Sequence, residues 1–172
     1  MSTHSPSPFT FFYGSASPFS QWHYPPFVIL EPWKTGTRRE ITFANAEQFM
    51  MAAKAAHFGD RRTYDRILAT SDPRQVKALG RAVTPFDAPE WRRVARGYVR
   101  EGNLAKFRQN AVPCAALLGT GDTILAEASQ FDRVWGIGLA AHHPDATNPA
   151  RWPGSNWLGD VLMDVRGVLG SA

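Results

Sequence analysis

The chain has 172 residues, 44% hydrophobic and 20% charged, which fits a globular domain and excludes wholesale disorder, collagen and coiled coil. Nineteen basic against fifteen acidic side chains leave a formal charge of +4, and fifteen of the basic ones are arginine. That bias is too mild to define a nucleic-acid binder, although the planar guanidinium suits phosphate.

No apolar run approaches the roughly 18 residues of a membrane span, and the first residues lack a signal-peptide pattern, so a cytoplasmic protein is expected. The single Cys114 excludes an internal disulfide and a cysteine-rich zinc site. Residues 1–8 read as a flexible terminus and 9–170 as one domain. From Phe9 to Phe27 aromatic residues alternate with Gly, Ser and Pro, which predicts short extended pieces joined by turns. Val28 to Leu30 continue as a strand, and Glu31 to Glu40 form a hairpin tip around Lys-Thr-Gly-Thr that leads into Ile41-Thr42-Phe43.

The helical part follows. Asn45 with Gln48 is a variant capping box opening a helix over Ala46 to Phe58, which Gly59 stops. Arg61 to Leu68 is a second helix, and Asp72-Pro73 opens a third that ends at Gly80. Asp87 or Ala88, with Pro89, starts a longer helix to about Asn110, with Trp91, Ala95, Tyr98 and Gly102 on one side and Arg92, Arg96 and Arg100 on another. Pro113 to Leu118 is apolar, and Gly119 to Asp122 turn into a short strand over Thr123 to Ala128. Residues 141–156 form a long loop with three prolines, and Asn156 caps a last helix from Trp157 to Leu169.

Walker, Rossmann, His-Glu-x-x-His and nucleophile-elbow motifs are absent from the sequence. The adjacent His142 and His143 read as solvated loop side chains, so no metal is expected. Glu47 and Lys54 lie seven residues apart, nearly two helical turns, and share a face. A carboxylate and an amine on the apolar side of a helix are costly unless paired or used; alternatively, Glu47 favours the helix amino end and Lys54 snorkels. Glu127 and Asp132 precede Trp135 between turn-permissive residues. Phe19, Trp22, Trp91 and Trp135 could stack on a heterocycle, and Arg81, just past the Gly80 stop, could approach a phosphate.

The ordered set Phe12-Tyr13-Gly14 with Ser17-Pro18-Phe19-Ser20, Ala46-Glu47-Gln48-Phe49 with Ala53-Lys54, Lys77-Ala78-Leu79-Gly80-Arg81, Trp91, Glu127-Ala128-Ser129 with Asp132 and Trp135-Gly136-Ile137-Gly138, and Asn156 with Leu158-Gly159 resembles the NADAR superfamily. The resemblance runs from about Phe11 to Leu169. It departs from the family at Ser155, where a basic or amide residue is common, and in the loop from Ala141 to Pro153.

The resemblance implies an α+β, mainly α, single-domain multihelical fold with a few short strands, and cleavage of a ribose C–N bond. It implies Glu47 as catalytic carboxylate and Lys54 as catalytic amine, with Glu127 and Asp132 as further acids of the site. Tyr13, Gly14, Phe19, Ser20, Arg81, Trp91, Trp135, Gly136 and Asn156 are implied as substrate-binding.

No cofactor is needed for such chemistry. A carboxylate can oppose the positive charge that develops on the sugar, and an acid can protonate the departing base. Alternatively, a neutral Lys54 attacks the anomeric carbon and forms a Schiff base. The expected substrate is a phosphorylated ribosyl heterocycle of the riboflavin pathway. ADP-ribosylated guanine in nucleic acid is the rival, and a non-catalytic ADP-ribose or nucleotide-binding module is the reading from another class.

Overall fold

The computed structural model describes residues 8–33 and 39–171. Of the expected terminus at 1–8, residues 1–7 lie outside the described residues, as does the Lys-Thr-Gly-Thr tip. Among those described, six α-helices, four short strands and one 3-10 turn follow one another, the mainly helical α+β composition expected. By its internal contacts the chain divides into two compact units, residues 21–111 and residues 1–20 with 112–172.

In the first unit, β2 (Phe27–Leu30) and β3 (Glu40–Phe43) pair antiparallel, Phe27 opposite Phe43 and Leu30 opposite Glu40. Helix α1 (Ala46–His57) is the hub, packed against α2 (Arg61–Leu68), α3 (Pro73–Arg81) and α4 (Ala88–Gln109). Its sequence dictates that place. Alanine at 46, 52, 53 and 55 lets neighbours approach closely, and Phe49 lies wholly buried between Phe27 and Phe43.

The caps explain why the helices start where they do. Asn45 accepts from the Gln48 N–H at 2.9 Å, and the Gln48 side chain returns to the Ala44 N–H at 2.7 Å, one residue earlier than the usual reciprocal bond. Asp60, Asp72 and Asp87 accept from the first-turn N–H groups of α2, α3 and α4. The Asp60 carboxylate also takes the Thr84 N–H, at 3.0 Å. Helix α3 runs one residue beyond the expected Gly80 stop, so Arg81 closes the helix.

In the second unit, β1 (Phe9–Phe12) pairs with β4 (Ile124–Glu127) in parallel, Phe9 opposite Ile124 and Phe12 opposite Glu127. Helix α5 (Ala111–Leu118) begins two residues before the expected Pro113, and α6 (Trp157–Gly170) packs on β4. The alternation along the strands puts Phe11 and Ala126 with Ile137, Ala146 and Trp152 in one apolar cluster. Arg166 of α6 fixes the turn that feeds β4 by donating to Thr120 Oγ1 at 2.7 Å and to the Thr123 carbonyl at 2.9 Å.

Candidate active site

The expected site residues fall on both units, and each unit carries its own arrangement. Glu47, Lys54, Arg81 and Trp91 belong to residues 21–111. Glu47 is half-buried in the first turn of α1, where the helix dipole favours a carboxylate. Its backbone N–H donates to the Gln21 carbonyl at 2.9 Å, which satisfies one of the donors a helix start leaves open.

Two turns on, Lys54 Nζ donates to the Gly80 carbonyl at 2.7 Å and stands 4.1 Å from the centre of the Phe86 ring. Burial pushes the amine below its ordinary range, because a charged ammonium loses hydration there. The carbonyl and the ring face pull the other way, since both favour the cation.

Around Lys54 the unit assembles aromatic rings. Phe58 meets Phe86 edge-on at 5.2 Å and lies 6.4 Å from Trp91, which stacks on Tyr98 at 5.9 Å and 19°. The Tyr98 hydroxyl bonds His57 Nδ1 at 3.2 Å, and His57 Nε2 bonds Glu90 at 3.0 Å. Glu90 also receives Arg93 through two nitrogens, which holds its carboxyl below the usual range, with His57 adding to the effect. Sequence reasoning missed Phe86, His57 and Glu90. The spacing of His57 three residues after Lys54, and of Tyr98 seven after Trp91, was the available signal. Arg81 is exposed in the last turn of α3.

In the other unit, Glu127, Asp132, Trp135, Gly136 and Asn156 come together at the carboxyl end of β4. Glu127 Oε2 is buried with no hydrogen-bond partner. Desolvation first, and the Asp132 charge second, push this carboxyl up to about 7. Asp132 is engaged differently: its Oδ1 accepts from the Val134 and Trp135 N–H groups, each at 2.8 Å, and thereby shapes the turn. Trp135 stands edge-on to Trp157 at 5.7 Å.

Gly136 is required sterically, since a Cβ there would lie 2.9 Å from the Glu127 carbonyl and 3.0 Å from that of Asp132. Asn156 corrects the expectation of a helix cap. It sits in the left-handed region at φ 52°, and its side chain makes no cap bond. The amide turns instead to β4, as its Oδ1 accepts from the Glu127 N–H at 3.1 Å and its Nδ2 donates to the Leu125 carbonyl at 2.9 Å.

The remaining residues separate by exposure. Phe19 is buried edge-on against Phe12 at 5.6 Å, and Ser20 is buried too. Gly14 turns the chain at φ 81°, and Tyr13 is 61% exposed. Among the described residues no group of three or more His, Cys, Asp or Glu is placed to hold a metal, and no helix is long and apolar enough to cross a membrane.

The NADAR domain family matches residues 11–170. N-glycosidase R617 of Acanthamoeba polyphaga mimivirus is 40% identical over 148 residues, covering 86% of this chain and 85% of that protein. Riboflavin biosynthesis protein VVA0006 of Vibrio vulnificus is 34% identical over 129 residues, 73% of this chain but 30% of that longer protein. Among solved structures, Escherichia coli YbiA, determined by NMR, superposes with a TM-score of 0.71 at 26% identity, over 95% of this chain and 85% of that one. The match over nearly the whole chain, with relatives of this identity, means that the chain belongs to the NADAR family, as an N-glycosidase.

Proposed function

We propose that this enzyme hydrolyses the ribose C–N bond of a phosphorylated ribosyl heterocycle, and that its substrate is a ribosylaminopyrimidine phosphate of the riboflavin pathway. The observation that carries the reading is half-buried Glu127, whose Oε2 is buried with no hydrogen-bond partner and whose carboxyl desolvation pushes up to about 7. Such a group is poised to give a proton to a leaving nitrogen. The name of the Vibrio relative supports the pathway, and a phosphorylated metabolite, which membranes retain, supports a cytoplasmic location.

The reaction balances without a cofactor. As the C–N bond breaks, the base leaves with the proton of Glu127, water adds hydroxide to the anomeric carbon, and the water's other proton restores the acid. The family resemblance, by itself, gives Glu47 the role of the carboxylate that stabilises the cationic sugar. Lys54 has two roles open to its chemistry. As an ammonium held by the Gly80 carbonyl and the Phe86 face it binds an anionic oxygen; as a neutral amine, which burial favours, it attacks the anomeric carbon and displaces the base, the ring C–O bond then opens to an imine as the ring oxygen takes the nitrogen's proton, and water later hydrolyses the imine.

The test is incubation with ribosylaminopyrimidine phosphates and, separately, with an ADP-ribosylated guanine oligonucleotide, following products by mass spectrometry. Release of the free pyrimidine, lost in folded Glu47→Ala, supports the reading; release of ADP-ribose alone replaces the substrate by the nucleic-acid one. Borohydride trapping of a sugar adduct in the wild type but not in Lys54→Ala selects the imine route.

A further inference from the structure

The parallel pairing of β1 and β4 sets their carboxyl ends side by side, with the Ala128 N–H donating to the Phe12 carbonyl at 2.8 Å. A cavity of about 310 Å3 opens there, lined by Phe11, Phe12 and Tyr13, by Ala128, Gln130 and Phe131, and by residues 140–142. All of them belong to the same compact unit.

Two features separate this cavity from a packing gap. First, Tyr13 is 61% and Phe131 82% exposed, although the same unit buries Phe12 and Phe19. Leaving large rings in water forfeits roughly 1.5–3 kcal/mol of burial for a side chain of that size. Exposed rings at the rim of a cavity offer faces on which a flat ligand stacks. Second, Gln130 and His142, which carry an amide and an imidazole, line the same cavity as the rings. Both supply donors and acceptors in a plane, which a heterocycle edge can use and an aliphatic chain cannot.

His142 reaches the cavity through the 141–156 loop, whose sequence suggested no task. That loop is built to hold a position. The His143 N–H donates to the Ala140 carbonyl and the Ala146 N–H to the His143 carbonyl, both at 2.9 Å. Trp152 Nε1 donates to the Ala146 carbonyl at 2.8 Å, Arg151 pairs with Asp145 at 2.8 Å, and Ala146 is fully buried. Ala141 and His142 are therefore presented as a wall of fixed shape.

We infer that this cavity binds a planar heteroaromatic ring, stacked on Phe131 and Tyr13 and read at its edge by Gln130 and His142. Its volume lies at the small end of ligand pockets, which suits one mono- or bicyclic ring and not a whole dinucleotide. The inference deepens the glycosidase reading, and only the identification of the ring with the substrate's own heterocycle rests on that reading.

The experiment uses the full chain with 13C-methyl alanine, because Ala128, Ala140 and Ala141 line the cavity and report from inside it. Adenine and 2-aminopyrimidine are titrated, with cyclohexylamine as a saturated amine control. The two aromatic rings shift those three methyls and cyclohexylamine does not. Phe131→Ala weakens the response about five- to hundredfold, the range of base–aromatic stacking, and His142→Ala weakens it severalfold. Both side chains are exposed, so the rest of the spectrum stays unchanged and certifies the fold.

Equal response to cyclohexylamine, no response from the three methyls, or unaltered affinity in Phe131→Ala overturns the inference. If ribosyl substrates turn over while the rings leave these methyls unmoved, the inference fails and the glycosidase reading stands. Ring binding without release of any base supports the inference and removes the substrate reading.

Discussion

The side-chain amide of Asn156 closes the open edge of β4 around Glu127, accepting from the Glu127 N–H at 3.1 Å and donating to the Leu125 carbonyl at 2.9 Å. A strand edge normally needs another strand to satisfy those groups. Here one planar amide spans them, so the backbone that carries Glu127 is fixed on both sides. Asn156→Ala leaves two backbone groups without partners and destabilises the protein by about 2–4 kcal/mol. Urea unfolding checks this, and a loss below 1 kcal/mol would mean water replaces the amide.

Room for that amide comes from Gly159, where an added Cβ would collide with the Leu125 carbonyl and with both terminal atoms of the Asn156 amide. Gly159→Ala is expected to cost about 3 kcal/mol by overpacking. In the same helix, an added Cβ at Gly167 meets nothing within 4 Å. Gly167→Ala therefore stabilises by about 0.5–1 kcal/mol, through lower unfolded-chain entropy and better helix propensity. Opposite signs in the two thermal melts are the expected result.

Glu127 makes stability depend on pH in a defined direction. Its folded pKa of about 7 exceeds the ordinary 4.5, so between those values the unfolded chain gives up its proton while the folded one keeps it. Stability contributed by this site is thus intact below about pH 4.5, falls as pH rises, and levels off above about pH 7, a total on the order of 3 kcal/mol. Glu127→Gln flattens that slope. In turnover the same variant loses the limb that declines above neutral pH, with kcat lower by about 10²–10⁴-fold for loss of a general acid. A retained limb would assign the proton to another group.

Phe86 should tune Lys54. Removing the ring face with Phe86→Leu takes away about 0.5–1 kcal/mol of cation stabilisation and lowers the amine's pKa further. Because Phe86 is 45% exposed, the substitution leaves the fold intact. A 13Cε titration of the lysines reads the shift directly, and an upward shift would show that water admitted by the smaller side chain relieves more desolvation than the lost ring contributed.

Much of the helical scaffold is legible along the chain. Asn45, Asp72 and Asp87 each mark a helix start that the structure confirms, because a cap is a contact between residues two or three positions apart. Glu47 and Lys54 could likewise be placed on one helix from spacing alone. Asn156 shows where local reasoning stops. It reads as another cap, yet its amide serves residues about thirty positions earlier.

The amino-acid sequence by itself determined the helix starts, the mainly helical composition and the set of acids, amine and aromatic rings that place the chain in its family. Only the tertiary structure decided that Phe9–Phe12 pairs in parallel with Ile124–Glu127, and that Lys54 rests on Phe86. It also decided that Glu127, not Asp132, is the acid with an oxygen, Oε2, left buried without a hydrogen-bond partner. Caps and periodicity are set by neighbours along the chain, whereas desolvation and ring contacts depend on groups that only the folded backbone brings within reach.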